Sequence, residues 1–354
     1  MERRITKKVF AGNIGIGGNS PISVQSMTNT KTQNVESTIS QLKAFEMTGC
    51  DIARVAVPDM ESAKAIKKIK KAIKIPLVAD IHFDYKLAIE SLKSGVDKLR
   101  INPGNIGSEN KVIEVAKAAK DYNVPIRIGV NAGSIDKKKY GKPSAEALVH
   151  SALDEAETLE KAGFTDIVLS LKTFDVPMMI DAYQMVANRC EYPLHLGVTE
   201  SGLPWEGTIR SSVGIGALLA QGIGDTIRVS LTGDPVEEVK IGIEILNSLG
   251  LKEKKFTIIS CPTCGRTTID IESISNEVKN RLEKMNIIKP ISVAVMGCVV
   301  NGPGEAQMAD VGISGTNEYG ILFSNGEPLK KVKSNELIDE LIAEVEKIQI
   351  DKKS

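Results

Sequence analysis

The chain has 354 residues, more than one ordinary hydrophobic core accommodates, so two or more domains are expected. Lys plus Arg and Asp plus Glu both total 45; no overall charge calls for nucleic acid or an anionic membrane, and any anion site must be local. Five cysteines are odd in number and too sparse for a disulfide framework, and no apolar signal region or membrane-spanning stretch is evident, so a reducing cytoplasm is expected.

In chain order, Ile5–Ile16 predicts a hairpin that closes the bottom of the first domain. Gly12, Gly15, Gly17 and Gly18 are turn glycines rather than a nucleotide loop, because no helix and no Gly-Lys-Ser/Thr come after them. From residue 21 to about 250 a short β-branched apolar run, a turn and an amphipathic helical stretch alternate. The runs are Ile22–Met27, Ile52–Val57, Leu77–His82, Lys98–Asn102, Ile126–Asn131, Asp166–Lys172, Leu194–Glu200 and Thr226–Thr232, with helices such as Glu61–Ala72, Lys111–Lys120, Ala145–Ala162 and Val236–Leu249 between them. Eight units spaced near the length of a βα repeat predict an α/β protein with a (β/α)₈ TIM barrel over residues 1–250; an open doubly wound sheet is the alternative. Cys50 and Cys190 precede apolar runs with no second ligand at metal spacing and are structural, as is His150 on its helix.

Residues two apart on a strand face the same side, and the C-terminal strand ends of a barrel form its working face. That parity pairs Asp80 with His82, Arg100 with Asn102, Arg127 with Asn131, Ser170 with Lys172 and Arg228 with Ser230, with Arg54 and Glu200 near strand ends. Any one arginine here is most simply an interior ion pair. Arg54, Arg100, Arg127, Lys172 and Arg228 together, offset by Asp80 and Glu200 alone, would repel one another in an empty mouth, so a small polyanion such as a diphosphate is the expected guest. Glu200 is a counter-ion or a proton donor to that guest, and His82 a substrate contact or a satisfied core histidine.

Gly250–Lys255 is a charged connector, and residues 256–354 predict a smaller α/β domain. Its elements are a strand (Phe256–Ser260), a cysteine loop, a helix (Ile271–Met285), a strand (Ile291–Met296), a second cysteine loop, a β pair around Gly312–Phe323 and a helix (Glu336–Ile348). The loops read Cys261-Pro-Thr-Cys264-Gly-Arg and Gly297-Cys298-Val-Val-Asn301-Gly-Pro-Gly-Glu305. The first is also a zinc knuckle, but the second offers one cysteine and an acid, and no histidine lies beyond His195. Three thiolates and a carboxylate point to an iron–sulfur cluster with one replaceable ligand, hence to chemistry at the metal; a zinc-stabilised metabolite binder is the non-enzymatic alternative. The eighth helix should end at the barrel floor, and six connector residues reach about 20 Å at most. A cluster serving the mouth therefore calls for a head-to-tail homodimer in which the small domain caps the partner barrel.

Pro21–Thr30, Val78–Phe83, Arg100–Gly107, Pro125–Gly133, Pro193–Glu200 and Val295–Glu305 resemble the family of bacterial 4-hydroxy-3-methylbut-2-en-1-yl diphosphate synthases, across nearly the whole chain. The resemblance implies a TIM barrel followed by a cluster domain, a homodimer, and reductive ring opening of 2-C-methyl-D-erythritol 2,4-cyclodiphosphate in isoprenoid biosynthesis. It implies a [4Fe-4S] cluster on Cys261, Cys264, Cys298 and Glu305, with the glutamate yielding its iron to substrate. Arg54, Arg100, Arg127, Asn131, Lys172, Arg228 and Ser230 would hold the diphosphate, Glu200 would act as acid near the reacting carbons, and Asn301 would be the cluster-domain contact. No dinucleotide fingerprint appears, so flavodoxin or ferredoxin should supply the electrons. The short connector leaves no room for the extra domain of the plant and parasite forms.

Overall fold

The computed structural model describes residues 2–102, 106–298, 304 and 308–351. The chain divides after Lys252 into two compact units. In the first, β1 (Val9–Ala11) and β2 (Ile14–Ile16) form an antiparallel hairpin. Eight parallel strands come next: β3 (Ser23–Met27), β4 (Ile52–Val57), β5 (Leu77–Ile81), β6 (Lys98–Ile101), β7 (Ile126–Asn131), β8 (Ile167–Lys172), β9 (His195–Leu196) and β10 (Thr226–Ile227). They pair in the order β8-β7-β6-β5-β4-β3-β10-β9, and a parallel bridge between Leu169 and Leu194 joins β8 to the chain entering β9. The sheet thus comes round on itself as the eight-unit pattern predicts, and the open alternative is excluded.

Val9, Ala11 and Ile16 of the hairpin pack in one buried cluster with Ile52, Val78 and Val168 at the N-terminal strand ends, so the hairpin plugs the barrel floor. The outer helices begin on side-chain caps: Asp59, Asp84, Ser144, Asp175 and Asp234 each accept a backbone N–H one to three residues into the first turn. Each of these five loops therefore ends on a residue that satisfies an otherwise orphaned donor, whereas the helices after Ser108 and Leu203 start without a side-chain cap.

Strands β9 and β10 are each two residues long, well short of the predicted Leu194–Glu200 and Thr226–Thr232. At the β8–β9 junction a buried side chain replaces part of the ladder: the Tyr183 hydroxyl accepts the Leu171 N–H at 3.0 Å and donates to the His195 carbonyl at 2.5 Å. Tyr183→Phe leaves both backbone groups unpaired in a dry interior, and should lower stability by about 1–3 kcal/mol. A urea melt should show a reduced midpoint at unchanged slope; an unchanged midpoint would mean the hydroxyl contributes nothing.

The second unit has one five-stranded sheet in the order β11 (Phe256–Ser260), β12 (Ile291–Met296), β13 (Val311–Gly315), β14 (Tyr319–Ser324) and β15 (Glu327–Lys333). The first three run parallel and the last two antiparallel. Helices Ile271–Lys284 and Leu337–Asp351 cover one face, burying Val278, Leu282, Leu341 and Val345 against Val293, Val295 and Ile313. Strand β15 was not expected. It is a solvated edge bearing Lys330, Lys331 and Lys333, a composition that discourages pairing with another chain. Its signal was Asn325-Gly326, both at positive φ (50° and 80°), the dipeptide favoured in two-residue hairpin turns. Among the described residues no helix is long and apolar enough to cross a membrane.

Candidate active site

The C-terminal strand ends of the barrel enclose a cavity of about 150 Å³ lined by Arg54, Asp80, His82, Arg100, Arg127, Asn131, Ser170, Lys172, Arg228 and Ser230, with Gly129 and Thr199. The strand parity thus brings every predicted cation of the rim into one chamber. Arg100 is the best anchored: Nη1 donates to Asp80 Oδ1 at 3.1 Å and to His82 Nε2 at 3.0 Å, and Nη2 to the Gly129 carbonyl at 3.1 Å. His82 Nε2 also lies 3.5 Å from Asp80 Oδ1, so the ring accepts from Arg100 when Nε2 is bare and donates to Asp80 when Nε2 carries the proton. Arg54 lies 3.9 Å from Asp80 Oδ2 and donates to Met27 Sδ at 3.1 Å. Arg127 is 1% exposed, yet among the described residues it donates only to Ser170 Oγ, at 3.4 Å, and its Nε has no partner.

These contacts leave positive charge in excess. Burial alone would raise the Asp80 carboxyl, but Arg54, His82 and Arg100 outweigh it and hold the group well below the usual carboxylate range. Burial, then Arg54 and Arg100, pushes Arg127 well below its ordinary value; burial, then Arg127 and Arg228, does the same to Lys172. Among the described residues neither Arg127 nor Lys172 has a carboxylate partner. Such a chamber is charge-strained when empty and suited to an anion with several oxygens.

Glu200 is not in the cavity lining. It is exposed, one residue beyond Thr199, in the left-handed region at φ 53°, where a non-glycine residue is uncommon and marks a functional turn more often than chance would. A further acid backs the chamber from outside its lining: Glu238, from the helix Pro235–Ser248, is 4% exposed, lies 3.5 Å from Arg228 Nη2, and accepts the Ser26 hydroxyl and the Leu231 N–H. Sequence reasoning missed it because strand parity does not address a helix's first turn.

In the second unit, Cys261 and Cys298 follow adjacent strands β11 and β12 at their C-terminal ends, and Cys264 lies exposed in the first loop. Gly297 N–H donates to Cys261 Sγ at 3.3 Å, and a side chain at Gly297 would collide with Ile271 Cδ1, so only glycine lets that amide approach the sulfur. The Arg266 N–H, then the Thr267 hydroxyl, lowers the Cys264 thiol below its ordinary value. Asn301 and Glu305 lie outside the described residues. Among the described residues no three His, Cys, Asp or Glu side chains converge closely enough to hold a metal ion, so the three cysteines share a strand-end edge without forming a closed site. The donor set suits a cluster: thiols not engaged in disulfides, one already accepting a backbone N–H and one shifted toward thiolate.

Residues 6–243 match the GcpE TIM-barrel domain and residues 257–347 the GcpE protein C-terminal domain. The chain belongs to the GcpE family. GcpE relatives match it end to end: the protein of Clostridium acetobutylicum named 4-hydroxy-3-methylbut-2-en-1-yl diphosphate synthase (flavodoxin) is 57% identical over 349 residues, covering 98% of this chain and 99% of its own. The protein of that name from Geobacter sulfurreducens is 54% identical over 350 residues, with 98% and 99% covered. Among solved structures, dihydropteroate synthases of Xanthomonas albilineans and Yersinia pestis align with TM-scores of 0.51 at 14% identity, covering 69% of this chain and 97% and 98% of theirs, which speaks for the barrel fold alone. In this GcpE chain two glycines make the mouth possible. A Cβ at Gly129 would lie 2.5 Å from Arg100 Nε, and one at Gly197 would lie 2.5 Å from the Arg228 carbonyl and 2.7 Å from Lys172 Nζ.

Proposed function

We propose that this chain is an enzyme that reductively opens 2-C-methyl-D-erythritol 2,4-cyclodiphosphate to (E)-4-hydroxy-3-methylbut-2-enyl diphosphate. Two electrons enter, a carbon–oxygen bond to the ring phosphate breaks, and a hydroxyl departs as water with protons from solvent or the protein. The observation that carries this is the mouth itself: five cations, of which two buried carboxylates pair with Arg54, Arg100 and Arg228, on a chain that matches its synthase relatives from end to end.

Arg54, Arg100, Arg127, Lys172 and Arg228 bind the two phosphates, with the arginine forks fixing their orientation. Asn131, Ser230 and Asn301 add hydrogen bonds, and His82, held beside Arg100 in the cavity lining, adds a further polar contact to the same guest. Glu200 supplies a proton or a hydrogen bond to the substrate hydroxyls at the reacting carbons. Cys261, Cys264, Cys298 and Glu305 hold a [4Fe-4S] cluster, which supplies electrons one at a time and a Lewis-acidic iron for the departing oxygen. Reduced flavodoxin, or ferredoxin in its place, is the donor, and the reducing cytoplasm is the fitting compartment for thiols used this way.

Lys252, the last residue of the barrel unit, pairs with Asp51 at 3.3 Å just ahead of β4, so the chain leaves the barrel from its floor, opposite the mouth. This favours a head-to-tail homodimer in which each small domain caps its partner's barrel. Solution scattering of an active preparation should give a dimer; an active monomer would exclude the arrangement. The reaction is tested by anaerobic reconstitution with iron and sulfide, then assay of the cyclodiphosphate with reduced flavodoxin. Stoichiometric zinc without sulfide, and no turnover, would replace this function with a metabolite-binding one.

A further inference from the structure

Beneath the mouth the barrel carries a second polar layer that the proposed reaction does not use. Lys98, the first residue of β6, is fully buried, and its Nζ has no hydrogen-bond partner among the described residues. Its register partner Val78 packs against the hairpin plug, which places Lys98 on the inward face, two residues and about 7 Å below Arg100. His195 and Thr226, opposite one another on β9 and β10, are likewise buried with unpartnered polar atoms, as is Gln25 on β3.

The charged groups facing this layer are nearly all positive. Arg127 from β7 and Arg54 from β4 act on Lys98, while His195 from β9 feels these two, Lys172 from β8 and Lys98 itself. The nearby carboxylates are engaged elsewhere: Asp80 on β5 serves Arg54, Arg100 and His82; Glu238 serves Arg228, Ser26 and Leu231; Asp97, beside Lys98, serves Lys70 and the Leu77 N–H; and Asp225, beside Thr226, serves Arg3 and the Leu194 N–H. A buried ammonium with neither counter-ion nor acceptor is far costlier than a neutral amine. Burial first, then Arg127 and Arg54, pushes Lys98 well below its ordinary value. Lys172 is depressed in the same way but lines the cavity, where the guest itself can pair with it directly.

We propose that Lys98 is a proton acceptor that balances the charge of a bound polyanion, neutral under an empty mouth and protonated when a diphosphate fills it. This rests on the diphosphate assignment of the mouth. Two phosphates placed among Arg54, Arg100 and Arg127 offset the repulsion that strips the lysine, and an amine needs only to return toward its own basicity. His195 would have to rise from a far lower starting point, because burial already depresses a group whose ordinary value is near 6.5. Since the occupied state binds the extra proton, affinity is greatest below the empty-state pKa and falls as pH rises, about tenfold per unit between the two pKa values.

The test is anaerobic calorimetry of the cyclodiphosphate binding to oxidised holoenzyme, without electron donor, in buffers of differing ionisation enthalpy. Both phosphates of this ligand are diester-like and carry no titrating proton near neutrality, so proton uptake reports the protein. About one proton should be taken up by wild type and by His195→Asn, and close to none by Lys98→Met, which should bind more weakly. Buffer-independent heat in wild type, uptake retained in Lys98→Met, or uptake lost in His195→Asn alone would each overturn the inference while leaving the mouth assignment standing. Absence of binding would overturn both. If Lys98→Met does not fold, Lys98→Gln, which keeps a polar side chain that cannot take up a proton, replaces it with the same expected loss of uptake.

Discussion

Cys264→Ser is expected to yield a colourless protein that, after anaerobic reconstitution, holds less than roughly a tenth of the wild-type iron and sulfide and turns over at least about 100-fold more slowly. A serine hydroxyl is far harder to ionise than a thiol and is a poor partner for a soft cluster iron, whereas the local amide and hydroxyl donors already favour the Cys264 thiolate. Because Cys264 is exposed and packs into neither hydrophobic cluster of its unit, the circular dichroism of the iron-free variant should match that of the iron-free wild type. Cys50→Ser is the contrasting control. Burial pushes that thiol up to about 12 and its Sγ donates to the Ile52 carbonyl at 3.2 Å, so the replacement should cost stability and leave the iron content intact. Glu305→Ala separates ligand loss from catalytic loss: a less stable cluster should still assemble, and most turnover should vanish. Iron content and rate both untouched by Glu305→Ala would remove the glutamate from the ligand set.

The barrel was legible because fully buried parallel strands must be apolar almost throughout, which makes runs such as Ile52–Val57 and Leu77–Ile81 stand out without any alternation. The charged exceptions within those runs were the more telling residues. Arg100, Arg127 and Lys172 sit where a strand should be greasy, and two-residue parity was enough to turn them into one chamber. The same parity, carried one step lower, places Lys98 and Thr226 inward too, but it says nothing about whether a neighbour satisfies them. That depends on contacts between strands distant in sequence. Glu238 was hidden for a related reason, since it backs the mouth from the turn where β10 gives way to its helix. In the second unit the cysteines were legible as a motif, and Cys261 and Cys298 do follow neighbouring strands, but spacing along the chain does not say how closely the thiols approach one another. Strand β15 failed the strand pattern for a physical reason: an edge strand with five consecutive exposed residues has no face to bury, so only its turn carries information.

Asp80→Asn tests the electrostatic frame of the mouth more severely than removing any one cation, because Asp80 is the one carboxylate that Arg54, Arg100 and His82 share. Taking away an ion's partner in a buried site costs about 3–5 kcal/mol, chiefly because the remaining charges stay buried and uncompensated. For a unit of this size the loss corresponds to a fall in Tm of roughly 10 °C. The pH dependence fixes the sign. The folded carboxyl is held below its unfolded value near 4, so its contribution is present above that value and lost as pH falls through the folded pKa. Wild type should therefore lose stability on acidification below about pH 4 more steeply than Asp80→Asn, and the two should converge in strong acid. Added anion should act in the opposite direction: pyrophosphate at a fixed concentration should raise the Tm of the variant more than that of wild type, since it neutralises guanidiniums that Asp80 no longer serves. Turnover should fall at least tenfold even with the anion bound, because Arg100 loses the contact that aims it beside His82 and Gly129. A variant melting within about 2 °C of wild type would show that the clustered guanidiniums are relieved by something other than this carboxylate, and the mouth would then have no need of a polyanionic guest.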